Sequence, residues 1–399
     1  MQKAEPSTSV TMPSAPMLAL ALVVQGSGIV KNYYRTSSHL YGAFPEWAAR
    51  RHYPARPMRI AVVAPVWFPV PPSGYGGIEL VVSLLADGLV DAGHDVTLFA
   101  SGGSESKAEI ISPMAEPPDP RELGNPWYDA YHALSSYLQV DGFDLVHDHA
   151  GIVGPICGAM LHGRPPVVHT LHGPWTPQTR LLYGLAAYHV HLVAISDAQR
   201  ADNPDLPYIG TVHNGIDLDS YTYRADKEDV LVYIGRANPD KGPKEAIGIA
   251  RRAGLPLQMI LKRSEPPERA YFEREIEPLL ASDIELHENV SHEMKVDMLG
   301  RACAMVFPTR WPEPFGLVMV EAMACGTPVV TTNWGAAPEL VADGITGFCR
   351  DGDDDLVESI AAARKLAPAA CRARVEERFS AQAMVRGYEA VYERAVAGT

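Results

Sequence analysis

The chain carries 399 residues with a formal charge of −14, 47% of them hydrophobic and 21% charged. This is the composition of a globular protein, and the acidic balance excludes nucleic acid as the main ligand, because phosphate backbones are gripped by basic faces. The length passes the roughly 250–300 residues at which one core stops growing, so two cores are expected.

Residues 1–57 include the Pro/Ser/Thr-rich "EPSTSVTMPSAP" and close on "FPEWAARRHYPARP", which has no helix or strand period; a poorly ordered extension is expected. Its apolar stretch Met17–Val24 is far short of the ~20 residues that cross a bilayer, and only Lys3 precedes it as a positive flank.

From Met58 the pattern changes. "RIAVVAPV" predicts a buried strand, "IELVVSLLADGLVDAGH" a helix and "DVTLFA" a second strand. "DLVHDH", "PPVVHTLHG", "HLVAIS" and "IGTVHNG" follow as further strands. Continuous apolar runs separated by helices indicate a parallel sheet covered on both faces. A second series, "DVLVYIG", "LQMILKR", "DIELHE", "AMVFPT", "TPVVTT" and "TGFCR", begins near Asp229. The polar "IDLDSYTYRADKED" between them reads as one linker, giving domains at 58–222 and 223–379. A closing helix, 380–399, carries Met384, Tyr388, Val391 and Tyr392 on one face, which is expected to pack on a domain surface. Two doubly wound domains leave a cleft between the carboxyl ends of their strands, where such folds bind ligands.

Several segments border that cleft. After strand one, "PVPPSGYGGIE" brings Gly74, Gly76 and Gly77 to the start of a helix, where backbone N–H groups can meet a phosphate; the G-x-G-G spacing is not a dinucleotide fingerprint. "VYIGRANPDKG" places Arg236 and Lys241 in a loop at a strand's carboxyl end, two local cations suited to a diphosphate in an otherwise acidic chain. "RWPEPFGLVMVEAMACG" carries Glu313 in a loop and Glu321 about 6 Å along a helix from Leu317, with Gly316 near the helix start. A carboxylate beside that start would repel phosphate but accept hydrogen bonds from sugar hydroxyls; alternatively, the acids simply suit the helix dipole. His172 in "HTLHGPW" ends its strand and is expected to point into the cleft. His147 and His149 alternate on the neighbouring strand as metal ligands would, but no third ligand is apparent, and no metal is expected. Cys157, Cys303, Cys325, Cys349 and Cys371 are scattered without a C-x-x-C pair, which points to free thiols in a reducing cytoplasm.

In order, "GYGGIE", "DLVHDH", "TLHG", "AISDAQR", "VHNGID", "IGRANPDKG", "PEPFGLVMVEAMACGTPVV" and "GAAPELV" resemble the retaining GT-B glycosyltransferases of the group 1, family 4 class, from Met58 to the C-terminus. The resemblance implies an α/β GT-B fold of two Rossmann-like domains and a metal-independent hexosyl transfer from a nucleotide-diphosphate sugar to an acceptor hydroxyl, with retention, in carbohydrate metabolism. It also implies site roles. Glu321 would bind the ribose and Glu313 the transferred sugar. Phe315, Gly316, Leu317 and Val318 would donate backbone N–H groups. Arg236 and Lys241 would hold the diphosphate, Gly76 and Gly77 would approach it from the first domain, and His172 would stand near the reacting carbon.

The chain departs from the family where "LKRSEPPE" replaces a Gly-rich turn and where Glu288-Asn289-Val290 replaces Gly-x-Val; both regions flank the base, with Val290 among the donor contacts. Lys262 and Arg263 stand there as possible further phosphate contacts. Helix one carries Glu79, Asp87 and Asp91, so membrane association is not expected and a soluble acceptor is. A sugar-nucleotide epimerase of similar architecture and a non-catalytic sugar-nucleotide-binding protein are the alternatives. Base, sugar, acceptor and oligomeric state stay open.

Overall fold

The computed structural model describes residues 56–74, 76–161 and 165–398; the extension expected at 1–57 falls, except for residues 56 and 57, outside them. In the first half β1 (Arg59–Val63) leads through α1 (Gly77–Asp91) to β2 (Asp95–Phe99) and β3 (Glu109–Ile111). Next come α2 (Pro126–Tyr137), β4 (Leu145–Asp148), α3 (Val153–Met160) and β5 (Val167–Leu171). Then α4 (Pro177–Ala186), β6 (His191–Ala194), α5 (Asp197–Ala201) and β7 (Tyr208–Thr211) complete it.

The second half opens with β8 (Glu228–Arg236), α6 (Pro243–Ala253), β9 (Leu257–Lys262), α7 (Pro266–Tyr271) and β10 (Ile284–His287). It continues through α8 (His292–Arg301), β11 (Ala302–Phe307), α9 (Leu317–Ala324), β12 (Val329–Thr332), α10 (Ala337–Leu340) and β13 (Gly347–Arg350). Three helices close the chain: α11 (Asp353–Ala363), α12 (Pro368–Arg378) and α13 (Ala381–Ala397).

The strands form two parallel sheets, ordered β3-β2-β1-β4-β5-β6-β7 and β10-β9-β8-β11-β12-β13. Both lie in the compact unit that begins at residue 53. Parallel pairing requires a crossover between strands, which is why helices alternate with strands and why the strand interiors are continuously apolar. Ile60, Ala61, Val62 and Val63 are fully buried, and β1 pairs in register with β2 and β4 on its two sides. The strand order reverses between β1 and β4 and between β8 and β11, so each sheet opens a crevice at those carboxyl ends. Every sequence-predicted strand is present, with β3 as an additional edge strand.

One face of the first sheet is covered by α1 and α13, whose Leu85, Leu89, Tyr388 and Tyr392 share a core with Ile60 and Val62. The other face is covered by α2, α3 and α4 through Tyr137, Cys157 and Tyr183. The expected apolar face of the closing helix is therefore buried on the first lobe, although it follows the second lobe in sequence. Ser380 caps this helix by accepting from the Ala383 N–H at 3.2 Å. Ile216 and Ser380 form a parallel bridge, with Ile216 N–H donating to Phe379 O at 2.9 Å. The chain thus crosses between lobes twice, and the single linker read from the sequence is corrected to two adjacent crossings. The polar segment between the lobes also contains a buried anchor, Tyr221.

Among the described residues no helix is long and apolar enough to cross a membrane. Exposed large apolar side chains of the first lobe lie not on α1 but on or just after α2, α3 and α4, where Trp127, Leu138, Met160, Leu185 and Tyr188 face outward. All five cysteines are free; four are buried, and burial pushes the Cys325 and Cys371 thiols up to about 12.

Candidate active site

The second lobe builds its site at the reversal between β8 and β11. Gly316 caps α9 with φ 97°, and a Cβ there would stand 2.5 Å from Met319 Cε and 3.3 Å from Glu313 Cγ. Only glycine fits that left-handed turn. No side chain caps the helix, so its first N–H groups form an anion-favouring terminus.

The loop after β8 packs backbone to backbone against the loop after β11. Arg310 N–H donates to Asp240 O at 2.7 Å, and a Cβ on Gly242 would lie 2.1 Å from Pro308 O. This close approach brings together two motifs that are 72 residues apart: Lys241 Nζ is ion-paired with Glu313 Oε2. Trp311 Nε1 donates to the same oxygen at 2.8 Å, and the ammonium lies 4.4 Å from the Trp311 ring centroid.

Glu321 is buried in α9. Its Oε1 accepts from the Tyr221 hydroxyl at 2.8 Å and from Lys295 Nζ at 2.9 Å. These partners turn a desolvated carboxylate into a fixed one. Neither was found from the sequence, because Tyr221 lies in the segment read as linker and Lys295 on a helix without a motif.

Arg236 differs from the open-loop cation expected of it. Its Nη2 pairs with Glu265 at 2.6 Å and its Nε with Glu268, both carboxylates coming from "SEPPE". The two departures from the family pattern also touch each other. Arg263 pairs with Glu288 at 2.6 Å and stands 4.1 Å from the Phe272 ring centroid. Asn289 sits at φ 51°, a conformation Asn tolerates, and Val290 packs partly buried against the second core. Phe315 is buried against the rings of His213 and Phe379, while Val318 is half-buried on the same core.

The first lobe approaches through its glycine loop. Gly77 begins α1, and a Cβ on it would touch Leu317 Cδ1 at 3.4 Å, so the starts of α1 and α9 face each other. Gly76 is crowded by Pro72 and Glu79. Glu79 is buried in the first turn of α1, and desolvation raises its pKa to about 7.

His172 follows β5 and is partly buried, and its Nε2 lies 2.8 Å from His149 Nδ1, so that nitrogen is engaged by the neighbouring ring. Burial pushes His172 down to about 3 and His149 well below its usual range. His147 reaches Tyr392 OH at 2.6 Å and Thr170 Oγ1 at 2.8 Å. The expected pair of metal-like histidines is thereby divided between a partner in α13 and one after β5. Among the described residues no group of three or more His, Cys, Asp or Glu stands in a metal-holding arrangement.

Between the lobes a cavity of about 300 Å³ is lined by Trp175, Gln199 and Asp202 from the first and by Trp311, Glu313 and Gly335 from the second. Glu339, within the "GAAPELV" segment, accepts from Asp197 N–H at 2.8 Å and Ala198 N–H at 2.6 Å. It also meets His213 Nε2 at 3.1 Å. A carboxylate of one lobe thus caps a helix of the other, a contact that nothing in the sequence signalled.

Residues 75–220 match the family described as Glycosyltransferase Family 4, and residues 221–378 match Glycosyl transferases group 1. The D-inositol 3-phosphate glycosyltransferase of Mycolicibacterium smegmatis is 30% identical over 298 residues, covering 64% of this chain and 68% of that one. The chain belongs to the group 1 glycosyltransferases. Against enzymes of the same name from Mycobacterium strains, it spans 56% of their length. Among solved structures, AviGT4, a glycosyltransferase of avilamycin A biosynthesis, is 26% identical with a TM-score of 0.65, covering 86% of this chain and 99% of its own. Anabaena HepE in complex with UDP-glucose has a TM-score of 0.65 at 20% identity, with 85% and 100% covered, a likeness of fold. This group 1 enzyme has the two-domain GT-B architecture.

Proposed function

We propose that the enzyme moves a hexosyl unit from a nucleotide-diphosphate sugar to an acceptor hydroxyl with retention of configuration and without a metal. The observation that carries this reading is the meeting of Lys241 and Glu313 at the open start of α9, opposite the start of α1. Lys241, Arg236 and the N–H groups at Phe315, Gly316, Leu317 and Val318 would receive the diphosphate, with Gly76 and Gly77 approaching from the first lobe. Glu321, held through one oxygen by Tyr221 and Lys295, keeps its other oxygen for a ribose hydroxyl. Glu313 would address the sugar, and Val290 the region of the base. UDP-glucose in the HepE structure supports a nucleotide sugar as the ligand class.

In the transfer, the bond from the anomeric carbon to the diphosphate oxygen breaks and the acceptor oxygen bonds to that carbon on the same face. The acceptor proton passes to the departing phosphate oxygen. Negative charge building on the diphosphate is met by the two cations, which exchange carboxylate partners for phosphate oxygens, and by the helix start. His172 stays neutral in its partly buried setting and so acts near the sugar as a hydrogen-bonding group without charge. The cavity beside Glu313, walled by Trp175 and Trp311, is the place for a soluble acceptor.

A thermal-shift series with UDP-, GDP-, ADP- and TDP-sugars on the wild type and Glu321→Gln tests the donor assignment. One nucleotide should raise the wild-type melting temperature and leave the variant unmoved, since ligand far above its dissociation constant stabilises by a few kcal/mol. No shift with any of them would remove the donor site. The anomeric coupling of the product then reads retention directly.

A further inference from the structure

Resting on the assignment of Arg236 to the diphosphate, the structure bears on the "SEPPE" segment, which the reaction has not so far used. We propose that Glu268 is a positioning residue for Arg236 and that Glu265 is an internal anion which the donor's diphosphate displaces. The two carboxylates differ in setting. Glu268 has 3% of its side chain exposed, against 40% for Glu265. Glu268 is committed at both ends: one oxygen takes Arg236 Nε, and the other accepts Glu265 N–H at 3.0 Å in the capping box of α7.

Two prolines, Pro266 and Pro267, open that helix and restrict its entry. The Arg263–Glu288 pair ties down the preceding residues. Glu268 is therefore preset, and it orients the guanidinium plane by one edge. Glu265 holds Nη2 from the solvent side, where an incoming phosphate oxygen would seek the same donor.

Charge sharpens the point. Arg236 and Lys262 are register partners on β8 and β9, and Glu265 and Glu268 balance them one for one. An unliganded enzyme with two bare cations at this spot would attract any polyanion. With Glu265 in place, only an anion that outcompetes a carboxylate already at the guanidinium gains the seat.

Binding of inorganic pyrophosphate to the full chain, measured by titration calorimetry, tests this without knowledge of the base. Glu265→Gln should bind pyrophosphate about five-fold tighter or better than wild type, because the competing charge is gone while the side chain keeps its shape. Glu268→Gln should bind it more weakly, and Arg236→Ala more weakly still. In an Arg236→Ala background both Gln substitutions should lose their effect, which a merely structural role of Glu268 would not produce.

Unchanged or weakened binding in Glu265→Gln overturns the displacement, and this partly exposed residue puts no fold at risk. Gln effects that persist without Arg236 overturn the positioning role. Wild-type affinity in Arg236→Ala would instead overturn the donor assignment itself.

Discussion

The two lobes share a doubly wound parallel sheet, yet they finish their strands with opposite chemistry. At the strand ends of the first lobe, His147 and His149 are buried and His172 partly so; they lean on one another or on tyrosines of α13 and are driven toward the neutral form. Glu79 there is likewise pushed toward its neutral form, while Asp148 and His169 bring a carboxylate and a base together. The second lobe does the reverse: Arg236, Lys241 and Lys295 are each matched with a carboxylate at the cleft. A lobe that handles a diphosphate needs charge that can be re-paired, whereas one that meets neutral hydroxyls gains from groups that stay uncharged in a dry setting.

Three experiments would break or sharpen this contrast. The largest effect is expected in the charged lobe. Lys241→Met should lower kcat/KM by about 10²–10³-fold, the scale seen when one preorganised stabilising donor is lost. Steady-state kinetics with the donor found by thermal shift would show it, and a loss under ten-fold would detach Lys241 from the transition state.

The next is Glu79. Its folded pKa of about 7 lies above the ordinary 4.5, so the folded protein holds a proton that the unfolded chain has released. Stability should therefore fall as pH rises from about 4.5 and level off above about 7, at a cost of about 3 kcal/mol. Glu79→Gln should remove that slope in urea melts at pH 5 and pH 8.

The histidines give the smallest effect per residue, with the opposite sign. Their folded pKa values are depressed below the usual 6.5, to about 3 for His172, so the unfolded chain takes up protons first as pH falls. Their stabilisation is complete above about 6.5 and is lost below it, about 1 kcal/mol for each at pH 5.5. His149→Gln should make the acid limb shallower. An unchanged limb would mean that these rings are not buried neutral in solution.

Much of the fold was legible because periodicity is local. An apolar run such as "RIAVV" can only be satisfied in a sheet covered on both faces, and "PFGLVMVEA" marks a helix start by its glycine alone. The pairing of Lys241 with Glu313 was less so: each residue was singled out, but nothing short of the packed loops puts one carboxylate on that ammonium. His172 was assigned to the cleft from its place at a strand end. The structure turns one of its nitrogens toward His149, because a side chain's direction depends on what the neighbouring strand offers.

By itself, then, the sequence determined the two parallel-sheet lobes, the order of their elements and the short motifs that border the cleft. These follow from hydrophobic period and turn chemistry, which act over a few residues. Tertiary structure alone decided that α13 returns to the first lobe, that Tyr221 and Lys295 hold Glu321, that Glu339 reaches across to α5, and that Glu265 and Glu268 occupy Arg236. Those are contacts between residues far apart in the chain. Which partner a buried charge finds is set by the geometry of packing, not by the residues beside it.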